Sequence, residues 1–425
     1  MRAGKSDIVD RDFVLMFASN LLSGFSFYVL LTCMAQYAID VYGAAPALAG
    51  FAASVFVLGE MSGRILTGWL VGRTTEARIV LMALAVFAAF SLLYFVEAGI
   101  GLLVFVRFAQ GIGFGASTTV MQGIALAGLP SARYAEGASV FSLSVTVGTA
   151  LGPLIGLVLT HNVPYRLLFG LSAGLAFLAL LAFVPVRRGK GMVARRAEGT
   201  LGASAAPMPT RAPSASQAAG TAPPLARPFR AAAKKARRLF PNRRTLLFAP
   251  IVFGMGLAFY SVTTFVNGFG LQEGFGDFTA YLFGAYFIGL VVFRPIAGKV
   301  MDRRGPHAVL LVAFAAFFLM FLVLACVGQA AVLLVVGLLL ALGFGVLLSS
   351  GLALCSAAAP AADKTRIVAA YYVCFNLGCV LGAYLSGFMV DGVGYRLMYA
   401  LWAAATLLLP FYYGLVRKRL NEDRP

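Results

Sequence analysis

Four short motifs recur along this chain at one fixed spacing. Arg64-Ile-Leu-Thr-Gly68 returns as Arg294-Pro-Ile-Ala-Gly298, and Gly113-Phe-Gly115 as Gly343-Phe-Gly345. Gly148-x-x-x-Gly152 returns as Gly378-x-x-x-Gly382, and Tyr165-Arg166-Leu167 as Tyr395-Arg396-Leu397, each offset by 230 residues. Near the start the offset is 232, where Phe27-Tyr28 and Thr32 match Phe259-Tyr260 and Thr264, which fits an indel in the first loop of a half. The fold must therefore be one architecture used twice. The copies flank Arg187–Arg244, a stretch rich in Ala, Pro, Ser and Arg that holds 14 of the 34 basic residues and one acid, Glu198. This divides the chain into residues 1–186, a linker 187–245, and residues 246–425.

Sixty per cent of residues are hydrophobic and 12% charged, more apolar surface than a soluble chain of this length can hide. Twelve apolar segments, at about 13–37, 47–70, 79–96, 100–124, 137–160, 166–185, 246–268, 279–299, 308–327, 331–355, 367–389 and 396–416, are long enough to cross a hydrocarbon core about 30 Å thick. The expected fold is an all-α polytopic membrane protein with twelve spans in two pseudo-symmetric six-helix bundles. With the N-terminus inside, 29 of the 34 basic residues fall on the cytoplasmic side, while the outer loops hold Asp40, Glu97, Glu273, Asp277 and Asp391. That bias fixes an N-in, C-in topology and accounts for most of the net charge of +18, so nucleic acid is not an expected partner. The charged start runs into a full-length apolar segment with no small-residue cleavage site, so the first helix is expected to serve as its own insertion signal. Within the linker, Phe229–Phe240 reads either as an interfacial helix on anionic lipid or as a solvated basic tether, after a disordered stretch from Gly199 to Pro224.

Cys33, Cys326, Cys355, Cys374 and Cys379 all lie in apolar runs without metal-ligand spacing, and read as core residues. His161 and His307 sit in an outer and an inner loop with no partner at metal or catalytic spacing. No nucleophile constellation or phosphate-cradling loop is present, so no enzyme, metal or cofactor is expected.

Glu60 is the sole acid inside an apolar run, with Arg64 one turn further on the same face. A carboxylate at that depth can carry a proton, because desolvation disfavours its charged form. It can equally form a fixed pair with Arg64, or neutralise Arg107, which lies seven positions into the fourth span. Polar faces at helical spacing mark a binding cavity: Tyr28, Thr32 and Gln36 in the first span; Gln110 and Ser117 beside Arg107 in the fourth; Tyr260, Thr263, Thr264 and Asn267 in the seventh; and Tyr372 and Asn376 in the eleventh. Single Thr and Ser residues read equally as interhelical hydrogen-bonding groups. Aromatic, hydroxyl and amide groups with few charges suit a small amphiphilic or moderately polar solute, not a polyanion, which needs more than one buried cation.

Three motifs make the chain resemble the major facilitator superfamily. The loop signature G-x-x-x-D-R-x-G-R-R is matched by Gly298-Lys-Val-Met-Asp302-Arg303-Arg304-Gly305, and in degraded form by Gly68 to Arg78, where Gly72 replaces the acid. The helix 4 signature R-x-x-Q-G-x-G appears as Arg107-Phe-Ala-Gln110-Gly111-Ile-Gly113. The helix 5 signature G-x-x-x-G-P-x-x-G-G appears as Gly148-Thr-Ala-Leu-Gly152-Pro153-Leu-Ile-Gly156-Leu157, lacking the last Gly. The resemblance implies a cytoplasmic latch at Arg73, Asp302 and Arg303, proton coupling at Arg107, and the helix 5 motif of proton-driven exporters. It further implies a monomer in a bacterial inner membrane, with protons, a small solute and lipid as partners. Expected alternatives are an importer or uniporter of the same fold, and a non-transporting sensor or lipid-handling protein that reuses it.

Overall fold

The computed structural model describes residues 10–71, 73–127, 134–186, 243–356 and 361–421. Almost all of the linker, including Phe229–Phe240, lies outside them. Among the described residues the chain is helical and forms no sheet. The first half comprises α1 (Arg11–Leu31), α2 (Met34–Tyr42), α3 (Pro46–Leu70), α4 (Glu76–Leu92), α5 (Ile100–Ala127), α6 (Tyr134–Asn162) and α7 (Tyr165–Phe183). The second comprises α8 (Arg243–Gln272), α9 (Phe278–Arg304), α10 (Pro306–Cys326), α11 (Val332–Leu340), α12 (Val346–Ser356) and α13 (Ala361–Asn421).

Eleven of these segments are long and apolar enough to span a membrane. The last, Ile367–Arg417, has 51 residues, roughly 75 Å of helix, more than twice a bilayer core. Gly394 divides it, with φ 77° and ψ 173°, a left-handed backbone that glycine adopts without steric cost. The twelfth span follows, so the protein has the expected twelve. Many side chains that point outward are large and apolar, such as Leu407, Leu408, Phe411 and Leu415, as lipid contact requires.

Local chemistry sets the helix starts. Pro46 and Pro306 occupy first-turn positions, where a missing N–H costs nothing, and Glu76 places a carboxylate at the positive end of α4. Two departures from regular helix were not expected. The first span breaks at Thr32-Cys33, where the Cys33 thiol turns back to the Val29 carbonyl and accepts from Thr160 Oγ1 at 2.8 Å. The tenth span carries a π-helical turn over Ala341–Gly345, between α11 and α12, where its first-half counterpart around Gly113 is regular α-helix.

Within the first half α1 packs on α6 and α7, and α5 on α3 and α4. The two halves meet along α3 against α13 and α6 against α9. At the end remote from the described chain termini this seam is tight: a Cβ on Gly50 would overlap the Ala383 carbonyl, and one on Gly387 the Pro46 carbonyl.

Candidate functional site

The glycine motifs position the site. Side chains at Gly152 or Gly156 would collide with Tyr28 and the Val29 carbonyl, so α6 lies directly on α1 and clamps Tyr28. Gly378 and Gly382 bring α13 onto Phe253 and Leu257 of α8 in the same way. Pro153 lies inside α6, between two of these contacts.

An aromatic layer then closes the space between the halves on the remote side. Phe27 stacks on Phe56 at 4.1 Å, and its repeat partner Phe259 stacks on Phe344 at 3.8 Å. Phe114, Tyr260, Val380 and Ala383 join the first pair in one buried cluster drawn from both halves. On the terminal side of this layer side-chain exposure rises. Glu60 is 9% exposed, but Arg64, one turn further, has 41% of its side chain exposed. Thr146, Arg294 and Tyr372 are half-buried around the same space. The seam is thus tight at the remote end, while side chains on the terminal side of the aromatic layer are partly exposed.

Glu60 and Arg64 form an ion pair through Oε1 and Nη2. Of the arrangements the sequence allows for Glu60, this is the one present. Arg107 is fully buried and meets neutral partners: Nη2 donates to the Ala53 carbonyl at 3.1 Å and Nη1 to Tyr94 Oη at 3.5 Å. Its guanidinium lies 4.8 Å from the Phe56 ring centre and 5.8 Å from that of Phe27, behind the aromatic layer.

The remaining expected site residues separate into two groups. Tyr28, Tyr260 and Glu60 lie within electrostatic reach of one another, and Asn376 is buried on α13. Gln110 faces α4 instead, with Nε2 donating to Ser91 Oγ at 2.7 Å and Oε1 accepting from Tyr94 at 2.5 Å. Thr32 is buried at the break in the first span, and Gln36 donates to Asp40 at 2.7 Å at the remote end. Thr264 is buried with its hydroxyl unsatisfied, and Asn267 is held at the remote end by His161. At the opposite end Arg73 lies over the Trp69 ring at 3.6 Å, while Asp302 and Arg303 are exposed, with no ion pair to each other or to Arg73.

Two groups stand out that the sequence reading did not select. His161 joins the halves: Nδ1 lies 3.3 Å from Asp277 Oδ1 and Nε2 3.2 Å from Asn267 Oδ1. Those partners are 116 and 106 residues away, so no spacing rule could reveal them. Arg294 projects from α9 toward α6 and donates from Nη1 to Thr146 Oγ1 at 3.3 Å, while its buried Nε has no acceptor. The signal for Arg294 was available, since it is the repeat partner of Arg64. A separate apolar crevice of about 670 Å³ between α6, α9 and α11 is lined by Leu154, Val158, Tyr281, Ala285, Ile288 and Leu338 and holds none of these charges. No cluster of metal-ligating side chains occurs among the described residues.

Residues 16–285 and 276–425 match the family model described as Major Facilitator Superfamily. The multidrug export protein EmrB of Escherichia coli (strain K12) is 27% identical over 125 residues, 29% of this chain and 24% of that protein. The match therefore spans about a quarter of that relative's length. Among solved structures, the POT family transporter PepTSo superposes with a TM-score of 0.73 at 13% identity, covering 98% of this chain and 99% of that one. The nucleoside transporter NupG gives 0.73 at 14% identity, with 96% and 100% covered. A bacterial homolog of the human lysosomal transporter Spinster, in an inward-facing and unoccupied conformation, gives 0.72 at 15% identity, with 99% of each covered.

Proposed function

The chain belongs to the major facilitator superfamily, and from that premise we propose that it is a proton-coupled secondary transporter of a small solute, working by alternating access. The observation that carries this reading is Glu60: a carboxylate deep in a span, nearly buried, paired with an arginine whose side chain is partly exposed. A proton arriving at Glu60 breaks the pair and releases Arg64, changing the charge of the space by one unit. That is a local event able to bias a two-state rocking of residues 1–186 against 246–425. We assign the terminal end to the cytoplasm on the bias of basic residues toward it, and on that assignment the structure reads as inward-open. In that state the exposed Asp302 and Arg303 are a latch waiting to engage, and closing the inner side would bring it together. The membrane assigned is a bacterial inner membrane.

Export by antiport is supported by the α6 motif Gly148, Gly152, Pro153 and Gly156 and by the similarity to EmrB. The Glu60–Arg64 pair favours a second reading, import by symport, for a solute that Arg64 attracts. Protonation would then strengthen solute binding, so proton and solute would load together. Proteoliposomes with a trapped pH indicator separate the two. Solute added outside drives protons out of the lumen in an antiporter and into it in a symporter. Solute flux without proton movement would refute coupling altogether.

A further inference from the structure

The repeat supplies two arginines at equivalent depth but only one carboxylate to neutralise them. Arg64 has Glu60 one turn earlier; Arg294 has Leu290 at that position. Among the described residues no acid lies within ion-pair distance of Arg294, whose single hydrogen bond is the Thr146 hydroxyl of the other half. Its Nε is buried and points at no acceptor. A guanidinium held in a membrane-spanning bundle with one donor stranded is costly, and such groups persist where a partner arrives. The planar fork of Nε and Nη matches a carboxylate in two parallel hydrogen bonds.

The surroundings narrow the class. Tyr286 on α9 lies within electrostatic reach of Arg294, and Tyr372 on α13 within reach of both Arg294 and Arg64. Tyr28 on α1 is within reach of Arg64, Tyr286 and Tyr372. Three phenols and two guanidinium groups from four helices thus interact across the seam between the halves, and of the two guanidinium groups only Arg64 has a carboxylate partner.

We propose that this space binds a monovalent organic anion with an apolar or aromatic body, its carboxylate taken by Arg294 and its ring lying among Tyr28, Tyr286 and Tyr372. The proposal deepens the transport reading and rests on that space being the transport site. It also explains why the site spans the seam: Thr146 and Arg294 belong to opposite halves, so an anion at Arg294 senses their relative motion.

The test is equilibrium binding of radiolabelled benzoate to the full chain in lipid nanodiscs, beside Arg294→Gln, Arg294→Lys and Thr146→Val. Each variant is first checked for monodispersity, so that a misfolded protein is not scored. Wild type should bind benzoate, displaced by unlabelled benzoate but not by the neutral benzamide or the cationic benzylamine at equal concentration. Arg294→Gln should weaken binding about 10- to 100-fold, the range for losing a charged hydrogen-bond partner. Arg294→Lys should recover part of that loss, and Thr146→Val should weaken binding only a few-fold. No benzoate binding in wild type, equal displacement by benzamide, or undiminished binding in Arg294→Gln would overturn the proposal. Failure of the transport reading looks different: benzoate binds with this pattern but does not exchange across proteoliposome membranes.

Discussion

Replacing His161 with alanine should open the remote end of the molecule. The imidazole bridges α6 of one half to Asn267 and Asp277 of the other at 3.2 and 3.3 Å. Asn267 is fully buried and its Nδ2 already lacks a partner, so losing His161 strands the whole amide, at a cost of about 1–3 kcal/mol. Asp277 is 46% exposed, and its contact adds about 0.5 kcal/mol after solvent screening. A total near 2.5 kcal/mol, lost entirely from the state closed at this end, moves the balance of the two states about seventyfold. If about 1% of wild-type molecules are open there, about two fifths of the variant should be. Spin labels on Val41 of the first half and Gln329 of the second report that opening by double electron–electron resonance. The variant should add a longer-distance population in nanodiscs, and His161→Gln, which can keep one of the hydrogen bonds, should add less. Distance distributions that match wild type in both variants would show that His161 does not hold this end closed, leaving that to the aromatic layer and the seam at Gly50 and Gly387.

Other consequences follow from the packing and the loop charges. Gly156→Val places a branched side chain against the Val29 carbonyl and should lower the midpoint of thermal unfolding, with overpacking costing about 1–3 kcal/mol; Gly174→Val, with no atom within 4 Å of its added Cβ, should not. Arg396 grips Glu273 in two hydrogen bonds of 2.9 and 2.6 Å, which hold the Glu273 carboxyl below the usual carboxylate range. Its stabilising contribution is therefore present above the unfolded pKa of about 4.3 and fades as pH falls through the lower folded value. Wild type and Glu273→Gln should differ in thermal midpoint at pH 7, by about 1 kcal/mol or less for so exposed a pair, and converge toward pH 3; a gap that widens in acid would contradict the assignment.

The scaffold was legible because its determinants are local. Apolar runs of bilayer length gave all twelve spans, and the spacing of Glu60 and Arg64 offered their pairing as one of three readings, since four residues return a helix to the same face. The glycines of α6 implied a close helix contact, which Tyr28 and Val29 supply. The repeat carried further than it was taken: laying Arg294 over Arg64 would have shown that only the first copy has a neutralising acid. Gln110 was harder, because it falls on the same polar stripe as Arg107, and periodicity alone does not say whether that stripe meets a cavity or a neighbouring helix. Here it meets Ser91 and Tyr94. The break at Thr32-Cys33 meets Thr160 of α6, and the π turn at Ala341–Gly345 lies against Phe317 and Leu290, neighbours distant in sequence that a local pattern does not encode.

Glu60 is the proposed site where protons meet transport. The direct measurement compares two activities of wild type and Glu60→Gln in proteoliposomes: accumulation of solute driven by an imposed proton gradient, and exchange of labelled for unlabelled solute with no gradient. Glu60→Gln is expected to keep exchange, because the two halves would still rock, and to lose gradient-driven accumulation, because nothing in the space between them would take up the proton. Accumulation in Glu60→Gln equal to wild type would contradict this, reducing Glu60 to a structural partner of Arg64.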